Sequence, residues 1–170
     1  GFKVAIIGKP NVGKSSLLNS LLSYDRAIVS DIAGTTRDTI EEQIRIDSHI
    51  IRLIDTAGIR EAKDKIEEIG IERSISSVDE ADIIISLFDG SQEWDREDDK
   101  ILSILKSLDE KHIITAINKS DLKQKLDTLY LKEFNPLHIS RENSVEIITD
   151  RVSILLNSVC DGDDIMLISA

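Results

Sequence analysis

Several residue types that would mark out other classes of protein are scarce in this chain. A single cysteine, Cys160, cannot form an internal disulfide; this suits a reducing compartment and leads to the expectation of a cytoplasmic protein. With 2 prolines and 8 glycines there is no low-complexity stretch, and no internal repeat is visible. The longest apolar runs, such as Ile83–Phe88, fall far short of the ~20 residues that a membrane helix needs, so no membrane partner is expected. Positive charge is scarce too: 21 Lys and Arg stand against 32 Asp and Glu, a net charge of -11. Gripping nucleic acid or an anionic membrane takes Lys and Arg, so such a chain is a poor candidate for either. Any polyanion it holds must sit in a local positive pocket.

What is present is enough for one domain. The 170 residues, 41% hydrophobic and 31% charged, exclude two large domains and a disordered chain. The first residue is Gly1 and no charged-then-apolar leader follows, which reads as a piece of something longer. Phe2–Ile7 is a short β-branched apolar run, read as a strand buried on both faces. Gly8–Gly13 reads as a loop, and Lys14–Leu22 carries apolar residues at helical spacing. Tyr24–Asp38 has no steady period and reads as a long exposed loop, whereas Thr39–Ile46 and Ile50–Ile54 flank a turn and read as a hairpin. A second irregular stretch runs from Thr56 to about Lys65, with a helix to Val78 after it. Ile83–Phe88, Ile113–Ile117 and Leu137–Ile139 read as buried strands, with helices over Glu97–Leu108 and Val145–Val159. The expected fold class is therefore α/β: a mostly parallel six-stranded sheet with one antiparallel strand and helices on both faces. Such sheets bind ligands at the C-terminal ends of their strands.

Three motifs fall at those ends. Gly8-Lys9-Pro10-Asn11-Val12-Gly13-Lys14-Ser15 fits G-x-x-x-x-G-K-[ST] and lies between a strand and a helix, as a phosphate-binding loop must. In such a loop the N–H groups of Asn11 to Ser16 and the positive end of the new helix cradle phosphate oxygens. Lys14 supplies charge to the β- and γ-phosphates, and the Ser15 hydroxyl is a ligand for Mg²⁺. Asp55-Thr56-Ala57-Gly58 follows the hairpin; its Asp holds the Mg²⁺ shell through water and the Gly58 N–H meets a γ-phosphate. Asn118-Lys119-Ser120-Asp121 ends another buried strand. The Asp121 carboxylate can accept from the paired donors on guanine's Watson–Crick edge, which adenine lacks, while Lys119 lies over the base. GTP or GDP is the expected ligand.

With these motifs in this order the chain resembles the translation-factor-type P-loop GTPases, whose fold is Ras-like. Gly34-Thr35-Thr36-Arg37-Asp38 looks like their second motif, implying contacts to nucleotide from Thr35 and Thr36 and a Mg²⁺ ligand at Thr36. The stretch Asp55–Ser74, with Gly70-Ile71-Glu72-Arg73-Ser74 at its end, resembles the MnmE (TrmE) tRNA-modification GTPase family. That resemblance implies a GTPase domain over residues 1–160 and a tail, 161–170, leading back to a helical domain. Ile59 stands where many small GTPases have a water-orienting Gln, and it cannot hydrogen-bond. Spacing alone reads Glu67 as an exposed carboxylate of an acidic first helical turn; the resemblance implies that it orients the attacking water through a second water. It also implies a K⁺ ion held by the Asn11 side chain and the Ser30 and Ile32 carbonyls, transient pairing of two G domains, and a flavin-dependent partner in wobble-uridine modification of tRNA. The tRNA would be held mainly by other domains. Ribosome-assembly GTPases of the Der and Era type share Pro-Asn-x-Gly-Lys-Ser and Thr-Thr-Arg and are the alternative. The fifth motif departs from the family pattern. Ile139-Ser140-Arg141-Glu142-Asn143 replaces Ser-Ala-Lys and its glycines, leaving backbone N–H groups of Ser140 and Arg141 for the guanine carbonyl. His49, His112 and His138 lack metal spacing, and the acidic run around Trp94 reads as a solvated face.

Overall fold

The computed structural model describes residues 1–24, 42–56, 59 and 77–169. The elements are β1 (Phe2–Gly8), α1 (Lys14–Tyr24), β2 (Glu42–Ile46), β3 (His49–Leu53), β4 (Ile83–Asp89), α2 (Arg96–Lys106), β5 (His112–Asn118), a 3-10 helix (Thr128–Phe134), β6 (Leu137–His138) and α3 (Ser144–Ser169). The six strands form one sheet in the order β2-β3-β1-β4-β5-β6. Only the β2–β3 hairpin is antiparallel; β1 pairs in parallel with β3 on one side and β4 on the other.

Alternation along the strands sorts their side chains between two cores. Val4 and Ile6 of β1, with Ile83 and Ile85 of β4, face Leu17, Leu18 and Leu21 of α1 and Ile148, Val152 and Leu156 of α3. Ala5 and Ile7, with Ile84 and Phe88, face Ile101 and Leu105 of α2 and Leu131 of the 3-10 helix. All seven residues of β4 are buried, as a central parallel strand covered on both faces should be. One polar pair is admitted there: the hydroxyls of Ser86 and Thr115 satisfy each other across β4 and β5 at 2.9 Å.

Two elements differ from expectation. The 3-10 helix at Thr128–Phe134 carries no clear apolar period and is held by Leu131 alone among its buried residues. The closing helix continues past Val159 to Ser169. Gly162 lies inside it, a cost of about 1 kcal/mol relative to alanine. No helix among the described residues is long and apolar enough to cross a membrane.

The order of the sheet positions the site. From β1 the chain travels to one side to build β2 and β3, then crosses to the other side for β4, so the sheet changes direction at the C-terminal end of β1. Open parallel sheets have their ligand crevice at that point. Phe88, near the same end of β4, is fully buried and stacks on Trp94 with centroids 5.6 Å apart, while Trp94 stacks on Tyr130 at 4.4 Å. Phe88→Ala should destabilise the domain by about 3–5 kcal/mol, read as a lower urea midpoint with an unchanged slope.

Candidate nucleotide site

The loop after β1 and the loop after β5 are drawn together by two hydrogen bonds. Asn118 Nδ2 donates to the Val12 carbonyl at 2.8 Å, and Lys119 Nζ donates to the Asn11 carbonyl at 3.0 Å. The first loop makes its turn through left-handed backbone at Asn11 (φ 65°) and Gly13 (φ 107°). Asparagine tolerates that region better than other side-chain-bearing residues. At Gly13 there is no alternative, because a Cβ would collide with the Asn118 amide that spans the two loops. Val12 anchors the turn with its side chain fully buried in the core.

Between the loops lies a cavity of about 260 Å³ lined by Gly13, Ser16, Asn118, Lys119, Asp121 and Arg141, among others. Thus residues from three of the sequence motifs share one hollow at the C-terminal edge of the sheet. Ser15 and Lys14 open α1 beside it. Asp55, exposed and with φ 56°, lies two residues past β3, where the Ile54 N–H still pairs with the Val4 carbonyl. The expected nucleotide or ion contacts at Ser30, Ile32, Thr35, Thr36, Gly58 and Glu67 lie outside the described residues.

Charge at this edge is arranged around three lysines. Lys119 Nζ is 2.8 Å from Asp89 Oδ2. Burial pushes the Asp89 carboxyl up, but the hydrogen bonds from Lys119 and from the Ser91 hydroxyl and N–H outweigh it and hold the group below the ordinary aspartate value. Lys9, only 7% exposed, reaches out of the first loop to Asp95 and Asp98, each at 3.0 Å. Burial pulls its ammonium down, yet those carboxylates keep it above the ordinary lysine value. Lys14 is different. Its Nζ donates to the Gly8 carbonyl at 2.5 Å, and burial holds its ammonium below the ordinary lysine value, with the charge of Glu97 pulling the other way. Among the described residues no carboxylate lies at hydrogen-bond distance from it.

The acidic run is not wholly a solvated face, and this corrects the expectation. Asp95 caps α2, accepting from the N–H groups of Glu97 and Asp98, while Asp98 Oδ2 accepts from the Asp95 N–H. Asp98 is buried at 1% exposure because Lys9 compensates it. The Asp-x-x-Asp spacing ahead of an apolar-periodic helix is the signal that would have revealed it. Asp89 was missed as well; it ends the apolar run of β4 as Asn118 ends that of β5, and the two pair across the sheet. The fifth-motif loop differs from expectation at Ser140, whose N–H donates to Asn143 Oδ1 at 2.6 Å. Of that pair, only Arg141 lines the cavity. His49 lies edge-on to Phe2 at 6.1 Å, and no metal-holding cluster of His, Cys, Asp and Glu occurs among the described residues.

The donors suit the expected ions. The Ser15 hydroxyl and Asp55 carboxylate are hard oxygen ligands of the kind Mg²⁺ takes, and Asn11 offers the neutral amide oxygen typical of K⁺ sites. Ile59, by contrast, is buried at 8% exposure as part of the core cluster on the α1 and α3 side of the sheet.

A sequence profile of the 50S ribosome-binding GTPase family matches residues 3–119. The tRNA modification GTPase MnmE of a Sulfurovum species is 67% identical over 170 residues, 100% of this chain and 38% of that protein. MnmE of Aliarcobacter butzleri is 56% identical over 169 residues, 99% of this chain and 37% of its own length. The chain therefore spans well under half the length of the curated relatives it matches. Among solved structures, Era in complex with MgGDPNP and a piece of 16S ribosomal RNA is 28% identical with a TM-score of 0.55, covering 88% of this chain and 56% of that one. The FeoB G-domain from Methanococcus jannaschii shares the fold, with a TM-score of 0.55 at 18% identity over 90% of this chain and 96% of its own.

Replacing Lys9 tests the charge arrangement. Lys9→Met leaves Asp98 buried without its cation and should cost about 3–5 kcal/mol at pH 7. The folded-state carboxyl then titrates far above its unfolded value of about 3.9. The penalty is thus full at pH values above the folded pKa and shrinks as the pH falls through it. Urea midpoints of the variant and unmodified protein should converge between pH 7 and pH 5; a gap independent of pH would show that Lys9 acts through packing alone.

Proposed function

The chain belongs to the GTPase family described as 50S ribosome-binding GTPase, and from its end-to-end similarity to MnmE proteins we propose that it is the guanine-nucleotide switch of a tRNA-modification GTPase. The observation that carries this reading is the shared cavity, in which Asp121 of the base-reading motif and Gly13 and Ser16 of the phosphate loop line one wall system. Identity of 67% to part of MnmE over the whole of this chain, against 28% to Era over 88% of it, favours tRNA modification over ribosome assembly.

In the proposed reaction the guanine sits against Asp121, whose carboxylate accepts from N1–H and N2–H, with Lys119 over the ring. The N–H groups from Asn11 to Ser16 surround the phosphates. Lys14, poorly hydrated and short of a carboxylate partner among the described residues, places its ammonium on the β- and γ-oxygens, where charge develops as the bond to the leaving β-γ bridging oxygen loosens. Ser15 and Thr36 would ligate Mg²⁺ and Asp55 would hold its shell through water, and the ion would neutralise phosphate charge. Thr35 and Gly58, both outside the described residues, contact the nucleotide, and Arg141, which lines the cavity, offers its backbone N–H to the guanine carbonyl. Glu67 orients the attacking water. Asn11, with the carbonyls of Ser30 and Ile32, would hold K⁺, which would supply the positive charge that an arginine finger supplies in other GTPases.

Residues 1–160 form the GTPase unit, and 161–170 lead toward a helical domain. Hydrolysis is coupled to transient pairing of two G domains. In the longer protein, tRNA is held mainly elsewhere and a flavin-dependent partner takes part in the modification, in the cytoplasm. The charge of -11 agrees with a domain that leaves tRNA to other parts of the molecule.

Two measurements test this reading. Asp121→Asn should weaken GTP about tenfold to a hundredfold and favour xanthine nucleotide, whose 2-keto group accepts from an amide; unchanged GTP affinity would contradict the base assignment. Single-turnover hydrolysis should be at least about tenfold faster in KCl than in NaCl at equal ionic strength, with Glu67→Ala losing about a hundredfold or more. Equal rates in the two salts would sink the K⁺ assignment, a K⁺ effect intact in Asn11→Ala would remove Asn11 as ligand, and full activity in Glu67→Ala would remove Glu67.

A further inference from the structure

Lys119 is a flexible side chain asked to hold a fixed position. Its four-carbon stem carries about 2 kcal/mol of rotamer entropy, and its ammonium is a point charge with no preferred plane. Yet its backbone is set in the left-handed region at φ 63°, where residues with a Cβ are uncommon. Local hydrogen bonds maintain that turn: Gln124 Nε2 and the Leu122 N–H both donate to the Lys119 carbonyl, at 2.8 Å and 3.0 Å. They fix where the side chain starts, not where the ammonium ends.

The end of β4 fixes the rest. The Asp89 side chain is only 5% exposed, and its Oδ2 takes the Lys119 ammonium at 2.8 Å. Its other oxygen is locked by two donors of one residue, the Ser91 N–H at 2.9 Å and the Ser91 hydroxyl at 2.6 Å. A carboxylate held at both oxygens cannot turn to follow a moving lysine; the lysine must come to it. The residue between them completes the support. The Gly90 N–H donates to the Asn118 carbonyl at 2.9 Å, and a Cβ at Gly90 would meet Ile117 Cγ2 at 2.8 Å and the Asn118 carbonyl oxygen at 3.0 Å. So Asp89-Gly90-Ser91 bears on Asn118 through the backbone and on Lys119 through the side chain. From that position the ammonium also reaches the Asn11 carbonyl of the phosphate loop.

We propose that Asp89 is a positioning residue of the guanine site, setting nucleotide affinity by holding Lys119 where it covers the base and ties the two loops. The proposal deepens the guanine-nucleotide reading above and rests on it. Asp89 touches neither base nor phosphate; its effect passes through Lys119. It should therefore act on binding of GDP and GTP alike and leave the chemical step alone.

The test is GDP binding by the unmodified protein, Asp89→Asn, Lys119→Met and the double variant, with GTP hydrolysis at saturating substrate measured alongside. Asp89→Asn should raise the GDP Kd and the GTP KM about tenfold while kcat stays within about twofold, since the Lys119 ammonium exchanges a carboxylate partner for a neutral amide oxygen. In the Lys119→Met background the same change should cost less than about twofold, because the group it acts through is gone. Ser91→Ala, a milder change that frees one donor to Asp89, should weaken GDP about threefold and serves if Asp89→Asn fails to fold. GDP affinity unchanged in both Asp89→Asn and Ser91→Ala, or an Asp89→Asn loss of equal size with and without Lys119, overturns the proposal. An unmodified protein that binds ADP as tightly as GDP overturns instead the reading beneath it.

Discussion

Three ammonium groups converge on one edge of the sheet, and the site depends on how their charge is settled. In a poorly hydrated region each cation needs compensation or its pKa falls. Lys9 has two carboxylates, Asp95 and Asp98, and Lys119 has one, Asp89. Lys14 has the Gly8 carbonyl and the longer-range charge of Glu97. The compensated pair are structural ties, one from the phosphate loop to α2 and one from the β5 loop to β4. Among the described residues Lys14 is left as the cation without a carboxylate at hydrogen-bond distance, and that is the property a phosphate requires. An acidic chain thus builds a positive pocket by distributing its carboxylates unevenly, without an excess of basic residues.

The ties also explain why the loops keep their shape without helices or strands of their own. The phosphate loop contains left-handed backbone at Asn11 and Gly13, and the β5 loop contains it at Lys119. At Asn11 and Lys119, which carry a Cβ, such conformations cost on the order of 1–3 kcal/mol each and persist when the surroundings over-determine them. Here the surroundings are the Asn118 amide on the Val12 carbonyl, the Lys119 ammonium on the Asn11 carbonyl, and Lys9 pinned beneath α2. Each loop is the other's scaffold.

Much of this was legible beforehand, because apolar runs and glycine spacing are local signals. The run Ile83–Phe88 reads as a buried strand and is one, and Gly8–Ser15 between a strand and a helix reads as a phosphate-binding turn and does join β1 to α1. What stayed hidden was non-local. The partnership of Lys9 with Asp98 spans 89 positions, and that of Lys119 with Asp89 spans 30. Read in sequence, Asp95 and Asp98 belong to an acidic surface run; only the crossing of β4 next to β1 brings α2 under the phosphate loop. Ser140 shows the same limit on a smaller scale, since nothing in Ser140-Arg141-Glu142-Asn143 announces that the Asn143 side chain would claim the Ser140 N–H.

Ile59 carries the mechanistic consequence. At that place a glutamine would have to face the phosphates to orient water. Here the residue is 8% exposed and belongs to the core cluster that includes residues of β1, β3, α1 and α3. Turning it outward would expose a large aliphatic group, at a cost of about 1.5–3 kcal/mol, and would open a gap beneath the strand ends. The position is thus committed to packing, and a polar residue there would not restore a water-orienting group without disturbing the core. Hydrolysis in this domain must draw its water-positioning group and its extra positive charge from elsewhere. That requirement is met in the proposed reaction by a carboxylate eight residues further on and by a monovalent cation at Asn11. In the proposed reaction a core residue at one position thus leaves the chemistry to others.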